Sequence, residues 1–340
     1  MKDSYIITTG KRLEFVDIAK GLVILLVLLG HLLMSDALLK KSIYAFHMPF
    51  FFIAAGFFLP EKPFKQYLSR RFLTLIVPYF FFAMFYGMLS LKNIPPMLYA
   101  TNQSLLKSGS NGMLWFLPSL FFALLVGHLL KNRIKGNLML SIITIVTCIS
   151  LGYLLNNQYH GGCLNMFRKW GLPFAIDVVL IGSAFVLIGY LFAYRNGLQW
   201  LNNRPRYQLA IMSLLVCVVL LSTFYETRKQ YPQMATGDLG NWYVYFVVAV
   251  IATMGILSFS CLLSSFRWKR WLVWFGENSL TVFLVHRMLV GILNERIIHG
   301  SNNILLYILS FVALCVFSTV CTMIINKYFP YLVGKPVLTK

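Results

Sequence analysis

The chain has 340 residues, of which 59% are hydrophobic and only 12% are charged, and its formal net charge is +20. A soluble protein of this length could not bury so much apolar surface, whereas a lipid bilayer accepts it. The composition therefore excludes a soluble domain and predicts an all-α integral membrane protein.

Apolar runs, read against proline, glycine and charged breaks, predict a bundle of ten transmembrane helices in one domain that covers residues 1–340. Backbone polar groups in lipid must be satisfied within their own segment, which favours helices. Neither a removable signal peptide nor a separate soluble domain is expected. The predicted spans are 15–34, 43–59, 72–90, 113–130, 138–155, 173–194, 208–224, 241–263, 272–291 and 304–326.

The basic residues follow membrane topology rather than a nucleic-acid surface. With the N-terminus placed inside, twenty of the thirty lysines and arginines fall on the inner side and ten on the outer side. This bias obeys the positive-inside rule and predicts that both termini are cytoplasmic. We therefore expect membrane lipid as a partner and no nucleic acid.

The first predicted span carries ionisable side chains towards both of its ends. Asp17 and Lys20 lie near the inner end, and His31 lies about 16 Å further along a helix that rises ~1.5 Å per residue. Ionisable groups inside a span are costly and usually mark a pathway or a reaction centre. Lys20 suits an anion at the inner face, and Asp17 is expected to pair with a basic group there.

The second predicted span contains His47 near its start, a short outer connection after the first span. His31 and His47 should therefore lie on neighbouring helices in the outer half of the membrane. An imidazole titrates near neutrality and can take a proton from an attacking hydroxyl. A structural hydrogen bond explains a single membrane histidine at least as well, but two histidines placed together with Lys20 favour a catalytic site.

The remaining candidates are individually weaker. Polar and aromatic residues of the outer loops, among them Asn111 and Trp115, would suit a sugar, although solvated loops and interfacial aromatic residues have the same composition. His286 comes near the end of the ninth predicted span and is a third candidate for substrate contact, with Arg287 beside it. The six cysteines lie mostly in apolar runs and show no metal-binding spacing, so no metal is expected.

Four segments carry a family pattern, namely FVDIAKGLVILLVLLGH, IYAFHMPFFFIAAGFF, NGMLWFLPSLFF and GENSLTVFLVH. Together they resemble the acyltransferase-3 family of bacterial membrane acyltransferases, and most of all its fucose O-acetylase-like branch. The first segment has the basic-x10-His pattern of the family, here from Lys20 to His31. The ten-span topology is similar too, so the resemblance covers nearly the whole chain.

The resemblance implies transfer of an acyl group, usually acetyl from acetyl-CoA, to a hydroxyl of a carbohydrate. The family's catalytic histidine in the first span corresponds to His31, and its basic partner corresponds to Lys20. Many relatives carry arginine at that position, and lysine keeps the charge but loses the bidentate fork. Some relatives also carry an R-x-x-R element before the third span. Here Arg70 and Arg71 are adjacent, so only a general contact with the cytosolic donor is expected of them.

These features predict a membrane O-acyltransferase of the bacterial inner membrane. Acyl-CoA docks from the cytoplasm, where Lys20, Arg70 and Arg71 meet its phosphates. His31 then acts as general base, assisted by His47, on a hydroxyl of a polysaccharide or lipid-linked sugar. A covalent acyl-histidine intermediate stays open. The alternative function is a transporter or flippase of a glycan or lipid-linked sugar, whereas a non-catalytic scaffold would leave the paired histidines unexplained.

Overall fold

The computed structural model describes residues 13–33, 37–90, 113–161, 173–225, 232–298, 301 and 303–335. Within these ranges the chain is helical, and one isolated antiparallel bridge joins Gln233 and Asp238. Short π-helical or 3-10 segments adjoin several helices. The α-helices are α1 Glu14–Leu32, α2 Leu38–Tyr44, α3 His47–Gly56, α4 Phe64–Arg71, α5 Val77–Ser90, α6 Phe116–Ile134, α7 Leu138–Gly161, α8 Val179–Tyr194, α9 Gly197–Asn202, α10 Arg206–Tyr225, α11 Trp242–Leu263, α12 Lys269–Glu277, α13 Ser279–Val285, α14 Arg287–Leu293 and α15 Ile304–Tyr328.

Six helical segments of the described chain are long and apolar enough to cross a bilayer. Their number and composition confirm a helical, multi-pass membrane protein. The count of ten spans and the cytoplasmic side of both termini stay predictions. The six segments are Glu14–Leu32, Phe64–Tyr86, Leu138–Leu155, Phe174–Tyr194, Trp242–Leu263 and Ile304–Tyr328.

The second predicted span, 43–59, is not one continuous helix. It is divided between α2 and α3 at Ala45 and Phe46, where Phe46 has the non-helical backbone angles φ −140° and ψ −18°. Pro49 explains the break, because proline lacks the N–H that would bond the carbonyl of Ala45 and its ring would collide with that carbonyl. In the first turn of α3 the missing donor costs nothing, since that N–H has no partner within the helix.

The ninth predicted span, 272–291, is also divided. The helix α12 ends at Glu277, and Asn278 leaves the helical region with φ −107° and ψ 12°. The helices α13 and α14 follow, with His286 at the junction between them, and a π-helical turn continues over Asn294–Ile298. The polar side chains of Asn278, His286 and Asn294 thus lie at or next to the ends of short helices.

Backbone contacts divide the chain into two compact units. The first consists of residues 1–58, 188–232 and 240–318, and the second consists of residues 59–187, 233–239 and 319–340. The contacts of His31, His47 and His286 described below lie within the first unit. That the whole chain forms a single domain stays a prediction.

The centre of the first unit is a close pairing of α1 with α12. A Cβ atom at Gly21 would lie 2.0 Å from the backbone oxygen of Leu272, and one at Gly276 would lie 1.9 Å from that of Asp17. Glycine at both crossing points lets the two backbones approach to a distance that any side chain would prevent. Buried Ile18, Leu263 and Leu272 fill the space beside this crossing.

The second unit has a polar cluster of its own beside α4 and α6. The ring of His128 stacks on that of Tyr67, with centroids 4.3 Å apart. Buried Lys131 donates a hydrogen bond to the carbonyl of Pro60 and lies 3.4 Å from the Glu61 carboxylate. A buried lysine is tolerated when such partners compensate its lost hydration.

Candidate active site

His31 lies in the last turn of α1, where helix carbonyls have no partner within the helix. Two side chains from elsewhere in the unit satisfy these groups. The amide Nδ2 of Asn294 donates to the backbone oxygen of His31 at 2.9 Å, and Nζ of Lys40 donates to that of Leu33 at 2.9 Å. Burial lowers the pKa of Lys40 from 10.5 to about 8. The two donors hold the end of α1, and therefore the His31 backbone, in one place.

The rings of three histidines and one tyrosine lie together around this helix end. The His31 and His286 ring centroids are 5.1 Å apart, with an angle of 39° between the ring planes. The hydroxyl of Tyr44 lies 3.4 Å from Nδ1 of His31, and the Tyr44 ring centroid lies 4.6 Å from that of His47. The structure thus brings the two predicted catalytic histidines into one cluster, with Tyr44 in contact with both of them.

Backbone carbonyls fix the orientation of two of these imidazoles. Nδ1 of His47 lies 2.9 Å from the carbonyl oxygen of Ile43, and Nδ1 of His286 lies 2.7 Å from that of Phe283. A carbonyl can only accept, so the proton of each neutral ring is on Nδ1 and its Nε2 carries a lone pair. In His286, which is fully buried, Nε2 has no hydrogen-bond partner among the described residues.

Lys20 and Asp17 form an ion pair near the other end of α1. Their Nζ and Oδ1 atoms are 2.9 Å apart, and the side chains are 23% and 4% exposed. The lysine ammonium also lies 5.8 Å from the centre of the Phe58 ring. At ~1.5 Å per residue, Lys20 is about 16 Å from His31 along the helix axis. Lys20 is thus part of the same helix as His31 but not of the histidine cluster.

Three other predicted site residues lie in the second unit. Arg70 and Arg71 end α4 in the second unit, where the Arg71 guanidinium lies 5.1 Å from the centre of the Tyr67 ring. Trp115 precedes α6 in the same unit and is 6% exposed. Asn111 lies outside the described residues.

Sequence reasoning missed Tyr44 of the cluster and Asn294, which bonds the His31 backbone. Tyr44 comes three residues before His47 in the segment IYAFHMPFF, and this short separation could have identified it. Asn294 has no comparable signal, because it comes after the apolar run that contains His286 and reaches His31 only through tertiary structure.

The arrangement suits proton transfer at a neutral substrate. Neutral imidazoles with a free lone pair accept protons or hydrogen bonds, and a tyrosine hydroxyl beside His31 orients its ring. Among the described residues no group of three or more His, Cys, Asp or Glu side chains could hold a metal ion. The side chains around the end of α1 contribute imidazole, phenol and amide groups.

The comparisons with known proteins identify the family but match single relatives only in part. The family model for the acyltransferase domain of acyltransferase-3 proteins matches residues 13–327. The nodulation protein NolL of Mesorhizobium japonicum is 33% identical over 145 residues, which are 38% of this chain and 39% of NolL. The antiporter subunit mnhD2 of Staphylococcus aureus, in strains that include JH9 and Newman, is 30% identical over 156 residues, which are 43% of this chain and 29% of that subunit.

The matching stretches span less than half the length of either relative. No solved structure matches the chain. The family match, by contrast, begins one residue before α1 and ends one residue before the end of α15, so it includes every residue of the histidine cluster. The chain is a multi-pass membrane protein that belongs to the acyltransferase-3 family.

Proposed function

We propose that the protein transfers an acetyl or other short acyl group from acyl-CoA to a hydroxyl of a carbohydrate. The observation that carries this proposal is the cluster of His31, Tyr44, His47 and His286 at one end of α1. Family membership supplies the reaction class, and the cluster supplies a group that can activate a hydroxyl. Acyl-CoA is a co-substrate, and none of the steps needs a metal.

In the proposed reaction His31 acts as general base. It takes the proton of the acceptor hydroxyl while the hydroxyl oxygen attacks the thioester carbonyl, so that a C–O bond forms and the C–S bond breaks. The departing thiolate then recovers the proton, which yields the ester and free CoA. Tyr44 orients the His31 ring through Nδ1, and His47 supports Tyr44 from the other side. This direct route needs no acyl-enzyme.

The donor is proposed to reach the site from the cytoplasm and the acceptor from the outer side of a bacterial inner membrane. Lys20 would contact a phosphate or the pantetheine arm of acyl-CoA on the inner side, since it is the cation on the helix that carries His31. Arg70 and Arg71 are proposed as further donor contacts because two arginines side by side attract phosphate groups. Asn111 and Trp115 are proposed to contact the sugar, an acceptor that is either a polysaccharide or a lipid-linked sugar.

The test is acyl transfer by purified protein in nanodiscs, with radiolabelled acetyl-CoA and a glycan extract of the host envelope. Wild type is compared with His31→Ala and with His128→Ala, a control that removes a buried, ring-stacked histidine from the second unit. We expect label in the glycan with wild type and with the control, and at least a hundredfold less with His31→Ala. Equal labelling by all three proteins would contradict the role of His31.

A second candidate function, transport of a glycan or lipid-linked sugar, is supported by the similarity to an antiporter subunit and by the divided helices α2–α3 and α12–α14. If the protein is a transporter, it should move a labelled lipid-linked sugar across the membrane of proteoliposomes without forming an ester. If no acyl-CoA of two to four carbons labels any glycan while such movement occurs, transport replaces acyl transfer as the function.

A further inference from the structure

We infer that His286 binds the hydroxyl next to the one that is acylated, so that the preferred acceptor is a vicinal diol of the sugar. The inference rests on the proposed acyl transfer with His31 as base. It adds what that proposal leaves open, namely which kind of hydroxyl is chosen among the many that a carbohydrate offers.

The first step of the argument is the state of the His286 ring. Its Nδ1–H is committed to the carbonyl of Phe283 at 2.7 Å, so Nε2 is an acceptor in the neutral ring. The residue is fully buried, and Nε2 has no partner among the described residues. A buried polar atom without a partner loses its hydration without compensation, so in native proteins such an atom usually serves a ligand, a water or a catalytic role.

The second step is the chemistry of the missing partner. Nε2 can only accept a hydrogen bond, so its ligand must carry an O–H or N–H group, which a sugar hydroxyl supplies and a thioester carbonyl does not. A hydroxyl has one proton. The hydroxyl that gives its proton to His31 therefore cannot also donate to His286, and a second hydroxyl must do so.

The third step is distance. The rings of His31 and His286 are 5.1 Å apart and inclined by only 39°, so a small ligand can meet both. Neighbouring hydroxyl oxygens on a sugar ring are about 3 Å apart, roughly one hydrogen-bond length. Two imidazoles at this separation can each engage one member of such a pair, whereas isolated hydroxyls would leave Nε2 of His286 without a donor.

The experiment uses two matched variants of the full-length protein in nanodiscs. His286→Asn keeps an amide near the Nδ1 position, where it can donate to Phe283, but has no acceptor at the position of Nε2. His286→Gln places an amide oxygen near that position. Each protein is assayed with acetyl-CoA and methyl glycosides, first a panel with intact diols and then the single-deoxy analogue that lacks the hydroxyl next to the acylated one.

For wild type we expect the deoxy analogue to lower kcat/KM at least tenfold, because Nε2 then stays unpaired. For His286→Asn we expect kcat/KM with the intact diol to fall by a similar factor through the KM of the glycoside, with the KM of acetyl-CoA within twofold of wild type. With the deoxy analogue, kcat/KM of this variant should fall by less than a further factor of two. His286→Gln should restore the KM of the glycoside to within about threefold.

Three results would overturn the inference while leaving acyl transfer intact. The first is an unchanged glycoside KM in His286→Asn. The second is a tenfold loss of kcat/KM when that variant is given the deoxy analogue. The third is a His286→Gln variant that keeps the glycoside KM but loses kcat a hundredfold. The last result would assign the proton itself to His286. If wild type acylates no glycoside and no glycan, the proposed function fails, and the inference fails with it.

Discussion

Asn294 donates a hydrogen bond to the backbone carbonyl oxygen of His31 at 2.9 Å. This bond joins the π-helical turn after α14 to the last turn of α1. It satisfies a carbonyl that the helix itself leaves unpaired, and it ties the backbone of the proposed base to the segment that follows His286. The position of the His31 ring relative to that of His286 therefore depends on a contact outside either ring.

The first prediction concerns this bond. Asn294→Ala should lower the free energy of unfolding by about 1–2 kcal/mol, because a helix-end carbonyl loses its donor. It should also reduce kcat about tenfold, since His31 is held less well. Asn137→Ala is the control, because its side chain caps α7 through the N–H of Leu140 in the second unit. We expect the control to lose a similar stability with unchanged kcat, as measured by thermal unfolding in detergent and by acetyl transfer.

The second prediction concerns the crossing of α1 and α12. Gly276→Ala and Gly21→Ala each place a methyl group about 2 Å from a backbone oxygen of the other helix, so the helices must move apart. A loss of roughly 1–3 kcal/mol in unfolding free energy is expected for each. Gly291→Ala is the control, since a Cβ there meets nothing within 4 Å, and it should be neutral or stabilising by up to about 1 kcal/mol. Equal stability of all three variants would show that the close approach does not exist.

The third prediction concerns Lys20 as a donor contact. Lys20→Met should raise the KM of acetyl-CoA at least tenfold and leave the KM of the glycoside within twofold, because the proposed function assigns this ammonium to the donor. The control is Lys269→Met, which removes a second lysine paired with a carboxylate near the same end of α1, the partner being Glu14 at 2.8 Å. An equal KM change in both variants would indicate a general effect of charge rather than a specific contact.

The fourth prediction concerns pH and Lys40. Its pKa in the folded protein, lowered by burial to about 8, is below the ordinary 10.5 of an unfolded chain. Below pH 8 the folded state bears the full cost of the buried charge. As the pH rises from 8 to 10.5 that cost disappears, so wild type should gain stability relative to Lys40→Met across this window. The measurement is the difference in melting temperature between the two proteins from pH 7 to 10.5, and a constant difference would contradict the lowered pKa.

Several features of the fold follow from local sequence. Membrane-spanning segments such as Glu14–Leu32 and Ile304–Tyr328 can be predicted from length and apolar character alone. In lipid, each such helix must satisfy its backbone hydrogen bonds within the segment. The spacing of Lys20 and His31 on one helix follows from the helical rise alone. The division before Pro49 could also have been predicted, since proline excludes a preceding helical turn.

The sequence could predict which site residues lie close together only where few residues separate them in the chain. His31 and His47 are only sixteen residues apart in the chain, so their proximity was a reasonable expectation, and Tyr44 comes three residues before His47. The opposite case is that of the predicted contact residues Arg70, Arg71 and Trp115. They lie in the second unit, and no local pattern relates their positions to that of His31.

Local sequence alone establishes a helical membrane protein and the residue types that are available for its chemistry. These properties depend on hydropathy and helical period, which are local. The contacts of His286 and Asn294 with His31 on the first helix, by contrast, appear only in the folded chain. Helix packing brings them together, and it depends on side-chain shapes at crossings such as Gly21 and Gly276, which pair residues far apart in the chain.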